Sequence, residues 1–310
     1  MGNRRLVDHG MNPDSMRLLL RRSNARGSAQ LALHAALLGA TGLLIGLCRG
    51  RVYWLVPAML LHGVVLDFLF CAMHETTHQT AFANRRLNAE VAWLCGALQI
   101  LPPEYFRQFH FAHHRFTQDA ARDPELAEPR PQTLPSYLWY LSGLPTWAQR
   151  ITTTLRHALT GRVAESFVPA ALRGSIVREA RVLWGCYLAV LVLSLAYRSD
   201  AALMYWLLPA IAGQPFLRIY LLSEHVGCAV KGSQWIKTRT VYTNAAIRFL
   251  AWQMPYHAEH HAFPSVPFHA LGKLNALNRG RVSVSAPGYL ALHVRLFRLF
   301  RTGRGTRAIR

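Results

Sequence analysis

The chain has 310 residues, of which 52% are hydrophobic and only 16% charged, yet its formal net charge is +20. Few charges with so large an imbalance are unusual in a soluble protein and indicate long apolar segments with arginine concentrated on one side of a bilayer. Binding to nucleic acid is disfavoured, because the polar stretches contain no recognition motif. The five cysteines have neither metal nor disulfide spacing, which is typical of buried thiols in a reducing compartment.

The chain begins with a predicted transmembrane hairpin. Residues 1–27 are basic and amphipathic, lack the apolar core of a cleavable signal peptide, and are expected to lie in the cytosol. The apolar run Ser28–Cys48 has 21 residues, which as a helix span about 30 Å, enough to cross a bilayer. After the hinge Arg49–Arg51, a second run, Val52–Met73, ends at the sequence HETTH. Residues 28–73 are therefore predicted to form the first hairpin.

Residues 74–180 are predicted to form a cytosolic cap. The run Leu87–Leu101 is apolar but short, and two prolines end it, so we interpret it as a re-entrant or interfacial helix. Ala120–Pro135 is charged and proline-rich, which is typical of a loop. Tyr137–Thr160 mixes aromatic residues and leucine with arginine and threonine, which favours a helix at the membrane surface, although a packed cap would use the same residues.

A second transmembrane hairpin is predicted over residues 181–222. Its two runs, Arg181–Ala196 and Ala201–Leu222, are joined by the hinge Tyr197–Asp200. The first run is short for a span, and Pro215 interrupts the second. Residues 223–310 are polar or amphipathic and are predicted to complete the cap, ending in a basic tail. The fold class predicted for residues 1–310 is thus a single all-α membrane domain with about four transmembrane helices.

Histidines recur in three clusters: an H-x-x-x-H pair within HETTH and two H-x-x-H-H triplets. Positions i, i+3 and i+4 project from one side of a helix, so their imidazoles can converge. One cluster alone would also fit a polar surface tract, but three indicate metal binding, since imidazole is a common ligand of iron, zinc and copper. The histidines of the three clusters are His74, His78, His110, His113, His114, His257, His260 and His261.

The number of histidines favours two metal ions over one. Eight imidazoles are too many for a single tetrahedral zinc but suit two six-coordinate irons, and iron is favoured if the reaction is a redox reaction. His225, in the segment SEHVG at the inner end of the fourth apolar run, brings the number to nine.

The distribution of charge predicts the topology. If residues 1–27 face the cytosol, only Arg49–Arg51 and Tyr197–Asp200 are exposed on the outer side, and nearly all other arginines and lysines lie inside. The three histidine clusters lie on that same inner face. We therefore expect a multi-pass protein with its active site on the cytosolic face, in a bacterial inner membrane rather than the endoplasmic reticulum.

The segments HETTHQ, HFAHH and HAEHH, in this order between and after two pairs of apolar runs, resemble the three histidine boxes of the membrane fatty acid desaturase and hydroxylase superfamily. The segment MPYHAEHHAFPSVPFHAL is most similar to the acyl desaturase branch. The resemblance implies two irons that activate O2 to break an unactivated C–H bond of a lipid chain, with His225 as the remaining ligand. One position departs from the pattern: animal acyl-CoA desaturases have asparagine one turn before that histidine, where this chain has Leu221.

Four carboxylates are candidates for supporting roles around the metals. Asp67 precedes His74 and His78 by seven and eleven residues, which is one stripe of a continuous helix, and a carboxylate within the membrane is costly without a function. Glu75, Asp123 and Glu259 either orient ligand imidazoles or are solvated residues near helix ends. The histidines without partner spacing are interpreted as packing residues: His34, His62, His157, His269 and His293.

The resulting hypothesis is an O2-dependent di-iron acyl desaturase, with no catalytic group beyond the metal centre. Its electrons would come from a separate ferredoxin-like or cytochrome-b5-like carrier, because the chain has no module for haem, flavin or iron–sulfur clusters. Basic segments at both ends, including Arg4, Arg5 and Arg295–Arg310, would favour docking of a small acidic carrier.

Three alternatives remain. A hydroxylase or ketolase acting on an alkane, lipid or carotenoid begins with the same C–H abstraction, so the spacing of the clusters does not separate it from a desaturase. An intramembrane zinc metalloprotease would use HETTH, but it needs a later aspartate-containing motif, and the chain's only NPD, Asn12–Asp14, precedes HETTH. A scaffold that merely stores metal is disfavoured by the ordered spacing of the histidines.

Overall fold

Residues 12–303 are described by a computed structural model and are predominantly helical. The helices are, in chain order, α1 Pro13–Leu19, α2 Asn24–Cys48, α3 Val52–Asp67, α4 Leu69–Thr77, α5 Arg85–Leu98, α6 Pro103–Phe116, α7 Leu134–Leu141, α8 Leu144–Thr160, α9 Arg173–Ala196, α10 Leu208–His225, α11 Gln234–Lys237, α12 Ala245–Leu250, α13 His257–Ala262, α14 Phe268–Asn278 and α15 Tyr289–Arg301. Two short strands, β1 Thr240–Val241 and β2 Ser285–Ala286, pair in parallel. The predicted all-helical fold is confirmed apart from this strand pair.

Three helices of the described part are long and apolar enough to cross a membrane: Asn24–Cys48, Val52–Thr77 and Ala170–Ala196. In the most apolar stretch of the first and third, only 17% and 11% of the residues are buried within the protein, against 61% in the second. The α3–α4 helix is therefore central, while α2 and α9 expose apolar surfaces such as a bilayer would cover.

The predicted fourth run, Ala201–Leu222, is also helical. It passes through a π-helical turn, Leu203–Leu207, into α10. Buried polar residues such as Gln214 and Arg218 lie on α10, and it is not among the helices apolar enough to span by composition. A fourth span, and the division of the chain into hairpins and cap, stay predictions.

The two predicted hinges lie at the same end of the helices. Nη2 of Arg49, after α2, is 2.5 Å from Oδ1 of Asp200, which precedes the helical segment leading into α10. The histidines lie at the far end of the α3–α4 helix and of α10. The hinges and the histidine clusters are therefore at opposite ends of the helices, the arrangement that the predicted topology requires.

Helices α3 and α10 cross where two glycines meet. A Cβ on Gly63 would lie 2.7 Å from the carbonyl carbon of Pro209 and 2.9 Å from the backbone nitrogen of Gly213. Only glycine permits backbones to approach this closely. Asp67, one turn beyond Gly63, is carried against α10, where a Cβ on Gly213 would lie 2.8 Å from the Asp67 Oδ2.

Two predicted elements have different bounds in the structure. Tyr137–Thr160 was expected as one helix but forms α7 and α8, because Gly143 adopts a left-handed conformation with φ of 69° and Pro145 starts the next helix. Helix α9 begins at Arg173 rather than Arg181, because Ile176, Val177 and Ala180 give its first turns an apolar face that is buried. The predicted loop Ala120–Pro135 is irregular apart from one 3-10 turn and the first turn of α7.

Candidate metal centre

The predicted histidines lie at the ends of four helices. His74 lies on α4 and His78 caps it, while α6 carries the first triplet in its last two turns. His225 is the last residue of α10, and the second triplet lies on the short helix α13. Helices that run to a common point from different directions thus gather these side chains at one place.

The nine histidines form two groups. In each group, one ring nitrogen from every member lies within 4.8 Å of those of all other members. Group A contains His74, His78, His110, His114 and His260. Group B contains His113, His225, His257 and His261. Each triplet therefore contributes to both groups, since neighbouring residues on a helix point in directions about 100° apart.

Ring nitrogens face one another across each group. In group A, Nε2 of His110 lies 2.8 Å from Nε2 of His78 and 2.9 Å from Nε2 of His114. In group B, Nε2 of His113 lies 3.2 Å from Nε2 of His225. Converging lone pairs are unfavourable unless a proton or a cation lies between them, so these nitrogens are suited to share a metal ion.

Burial keeps these imidazoles neutral. Five of the rings have a pKa well below the ordinary histidine value, first because burial removes water and second because neighbouring imidazoles repel a further positive charge. These rings are His110, His114, His257, His260 and His261. A neutral imidazole has a lone pair to give to a metal, and a protonated one has none.

His74 provides an independent indication of metal binding. It is 5% exposed, and neither of its ring nitrogens has a hydrogen-bond partner among the described residues. A buried polar side chain without a partner is costly. The residues therefore fit metal ions, which would supply the missing partner.

The outer nitrogens of two histidines in group B are held by acceptors. Nδ1 of His113 lies 2.9 Å from Oδ1 of Asp123, and Nδ1 of His225 lies 3.1 Å from the carbonyl oxygen of Lys237. Nδ1 of His257 lies 3.2 Å from Oε1 of Glu224 but forms no hydrogen bond with it, so this ring is not fixed in the same way. An acceptor at Nδ1 fixes the proton there and leaves Nε2 free for a metal.

His113 is the most strongly supported of these rings electrostatically. Burial opposes its protonation, but Glu125, whose Oε2 lies 3.4 Å from Nδ1, and Asp123 outweigh burial and raise its pKa. The same two carboxylates would make the ring a stronger donor toward a cation. Sequence analysis included Asp123 but missed Glu125 and Glu224. Glu224 precedes His225 in the chain yet lies beside His257, so only the fold reveals its contact.

The other three predicted carboxylates lie against different partners. Glu75 accepts a hydrogen bond from the backbone nitrogen of Phe268 (3.0 Å), which joins α4 to the start of α14. Glu259 accepts from Thr240 Oγ1 (2.6 Å) and from Asn275 Nδ2 (2.5 Å). Both carboxylates therefore fix the histidine-bearing helices to neighbouring elements, and neither is hydrogen-bonded to an imidazole within the described part of the chain.

Asp67 forms no hydrogen bond with a histidine among the described residues, and its supporting role at the metals stays a prediction. Seven residues correspond to two turns, so Asp67 lies about 10 Å along the helix from His74. Asp67 is fully buried at the crossing of α3 and α10.

The remaining histidines have ordinary partners, as their interpretation as packing residues requires. Examples are His34 with the Val65 carbonyl (2.8 Å), His62 with Thr41 (2.8 Å) and His293 with Tyr137 (2.7 Å). His157 lies 3.1 Å from Glu165, and His269 lies 3.1 Å from Arg26. None of the five belongs to either group.

A cavity of about 150 Å³ lies beside group B, and we call it the central cavity. His225 and Glu224 belong to its lining. Its apolar wall includes Phe70, Phe106, Tyr140 and Leu221, and its polar wall includes Arg150 and Arg218. Leu221, the position that departs from the animal acyl-CoA desaturases, thus faces the space next to the histidines.

A helical membrane protein that gathers nine buried histidines into two groups beside a cavity has the features of a metal-dependent oxidoreductase. The family model described as fatty acid desaturase matches residues 51–292, and the chain belongs to this family. The resemblance recognised in the sequence is therefore confirmed. The protein is an oxidoreductase of lipid metabolism from a family that uses iron.

Two relatives carry desaturase names. The chain is 24% identical to the dihydrorhizobitoxine desaturase of Bradyrhizobium elkanii over 288 residues, which are 87% of this chain and 78% of that protein. It is 26% identical to a sphingolipid delta(4)-desaturase of Drosophila melanogaster over 223 residues, 69% of this chain and 63% of that protein. Both relatives support a desaturase-type function.

Proposed function

We propose that the protein is an O2-dependent di-iron desaturase that introduces a double bond into an acyl chain. The observation that carries this proposal is the division of nine buried histidines into a group of five and a group of four. Group A would hold one iron and group B the other. When bound, the irons supply the redox chemistry with O2 that breaks an unactivated C–H bond.

The protein's own residues orient the metal centre and the substrate. Asp123 and the Lys237 carbonyl keep protons on the outer nitrogens of His113 and His225, so that the inner nitrogens face the metals. The apolar wall of the central cavity, including Phe106 and Leu221, would hold the acyl chain beside group B and exclude water. Binding the chain in one orientation selects which carbon is oxidised.

The overall reaction requires two external electrons. Removing two hydrogens from the acyl chain provides two electrons and two protons, and O2 needs two more of each to form two molecules of water. The five cysteines within the described residues are free thiols and do not form a metal-binding cluster. A separate ferredoxin-like or cytochrome-b5-like carrier would therefore supply the electrons.

A basic surface supports docking of such a carrier. Helix α15 exposes Arg295, Arg298 and Arg301 at the C-terminal end of the described residues. Opposite charges raise the rate of encounter between proteins and are screened by salt. Arg4, Arg5 and residues 304–310, which add to the predicted basic segments, lie outside the described residues.

The proposed location is the cytosolic face of a bacterial inner membrane. The contact of Arg49 with Asp200 supports this topology, because it joins the two hinges at the end opposite the histidines. The basic residues near the histidine end would then face the cytosol.

Purified protein reconstituted with iron, a deuterated acyl lipid, O2 and a reduced carrier tests this function. We expect a product that has lost two deuterium atoms and gained no oxygen, and no turnover when the carrier is omitted. A product that has lost one deuterium and gained one oxygen would assign the hydroxylase alternative. Cleavage of a peptide without consumption of O2 would contradict both and favour the metalloprotease.

A further inference from the structure

The polar wall of the central cavity contains two arginines close to each other. Arg218 on α10 is 6% exposed, and its guanidinium stacks over the Tyr140 ring with Cζ 3.8 Å from the ring centroid. Arg150 on α8 also lines the cavity. Burial, followed by the nearby charge of Arg218, lowers the pKa of Arg150 to about 10. Glu128 in the same lining pairs with Arg218, whereas Arg150 has no ion pair among the described residues, so its charge is available to an anion.

Both arginines have donors available to a ligand. Nη2 of Arg218 donates to Oε2 of Glu128 at 2.8 Å, but its buried Nε has no hydrogen-bond partner among the described residues. Among the described residues, Arg150 donates only through Nη1, to the backbone oxygen of Gln99 at 3.0 Å and to its side-chain oxygen at 3.3 Å. A guanidinium has five N–H donors, so most of those on Arg150 remain. Their fork matches the geometry of carboxylate and phosphate.

The arginines lie at a defined distance from the histidines. Arg218 and His225 are seven residues apart on α10, which is two turns of one helix face and a separation of about 10 Å. Leu221 and Leu222 lie about one turn from both Arg218 and His225, and they line the cavity between these two residues. Arg130, the third arginine of the lining, donates to Gln118 at 2.7 Å and to the His225 carbonyl at 3.3 Å, so it belongs to the histidine end.

We propose that Arg150 and Arg218 bind an anionic group of the substrate, a carboxylate or a phosphate, so that the oxidised carbon lies about two helical turns, on the order of 10 Å, from that charge. This inference rests on the proposed function and names its substrate class. The substrate is an acyl compound with its anionic group inside the protein, next to the reacting carbons. A long acyl chain whose polar head stays at the protein surface would not use these two arginines.

Binding of three probes with the same alkyl chain tests the proposal: octanoate, octyl phosphate and the uncharged octanamide. The iron-loaded protein is kept without O2 and without a carrier, so that affinity is measured without turnover. We expect octanoate or octyl phosphate to bind at least about ten-fold more tightly than octanamide, which corresponds to about 1.4 kcal/mol. The tighter of the two anions identifies the chemical source of the charge.

Substitution of Arg150 locates the preference. Arg150→Gln should bring the affinity for the anion down to that for octanamide, and Arg150→Lys should restore part of the difference, since lysine keeps the charge but not the fork. Arg156→Gln on the same helix is the control, because the Arg156 side chain is 44% exposed and pairs with Glu165 at the surface. Iron content and melting temperature are measured for every variant to show that it is folded.

Two results would overturn the proposal. One is equal binding of the anions and octanamide by the unaltered protein. The other is unchanged anion binding by folded Arg150→Gln, which would mean that the anion binds the irons directly. Failure of the proposed function is recognised separately. It would appear as absence of iron binding or of desaturation activity, whatever the preference between the anions and octanamide.

Discussion

Replacing His113 with alanine should abolish desaturation and remove about one iron per chain. His113 is fully buried in group B, and Asp123 and Glu125 both lie against its Nδ1. Loss of the ring removes one proposed ligand and leaves two carboxylates next to an empty space. Losing only an outer partner of a metal ligand typically costs about 10- to 100-fold in affinity or activity, so loss of the ring itself should cost more.

Turnover and iron per chain, measured on the same purified sample, check this result. His78→Ala is the matching variant in group A. It should also lose about one iron, in this case the iron proposed to be held by group A. His269→Ala is the control, since this ring is half-buried, contacts Arg26 and lies in neither group. Full activity with two irons in His113→Ala would remove His113 from the metal centre.

Replacing Gly63 with alanine should strongly destabilise the folded protein. The added Cβ would overlap the backbone of Pro209 and Gly213, which cannot rotate away as a side chain can. Overpacking in a core typically costs about 1–3 kcal/mol, and a clash with backbone should lie at the upper end or beyond. Separation of α3 from α10 would also displace His225, which α10 carries, from the histidines that follow α3.

Gly39→Ala provides a matched control for this effect. Gly39 lies within α2, but a Cβ added there meets no atom of residues 12–303 within 4 Å. Alanine is favoured over glycine within a helix by about 1 kcal/mol, so this variant should be neutral or slightly more stable. Melting temperature in detergent and the fraction of monodisperse protein distinguish the two variants. Equal behaviour of Gly63→Ala and Gly39→Ala would mean that the tight crossing does not control stability.

The sequence predicted which histidines come together but not how they divide. The i, i+3, i+4 spacing identifies each triplet as one side of a helix, and this holds for both triplets. Yet His113 and His114 are adjacent in sequence and belong to different groups, as do His260 and His261. Their division depends on how α6 and α13 are rotated relative to each other, which tertiary packing sets and local spacing does not.

The carboxylates also show that spacing in the sequence does not predict contacts set by tertiary packing. Asp123 was predicted among several candidates, and its contact with His113 follows from the irregular segment after α6 folding back onto that helix. Asp67 was predicted from helical periodicity, but its contact with Gly213 on α10 depends on the packing of two helices and does not follow from spacing within one. Glu224 was missed, because its neighbour in space is a histidine 33 positions later in the chain.

Iron analysis combined with Mössbauer spectroscopy on the purified, iron-loaded protein tests the central claim most directly. The account predicts close to two irons per chain in two distinguishable environments, since group A offers five nitrogens and group B four. Each environment should disappear selectively in the variant of its own group, His78→Ala or His113→Ala. One zinc per chain, with no iron taken up when iron is supplied, would contradict the account and favour the metalloprotease.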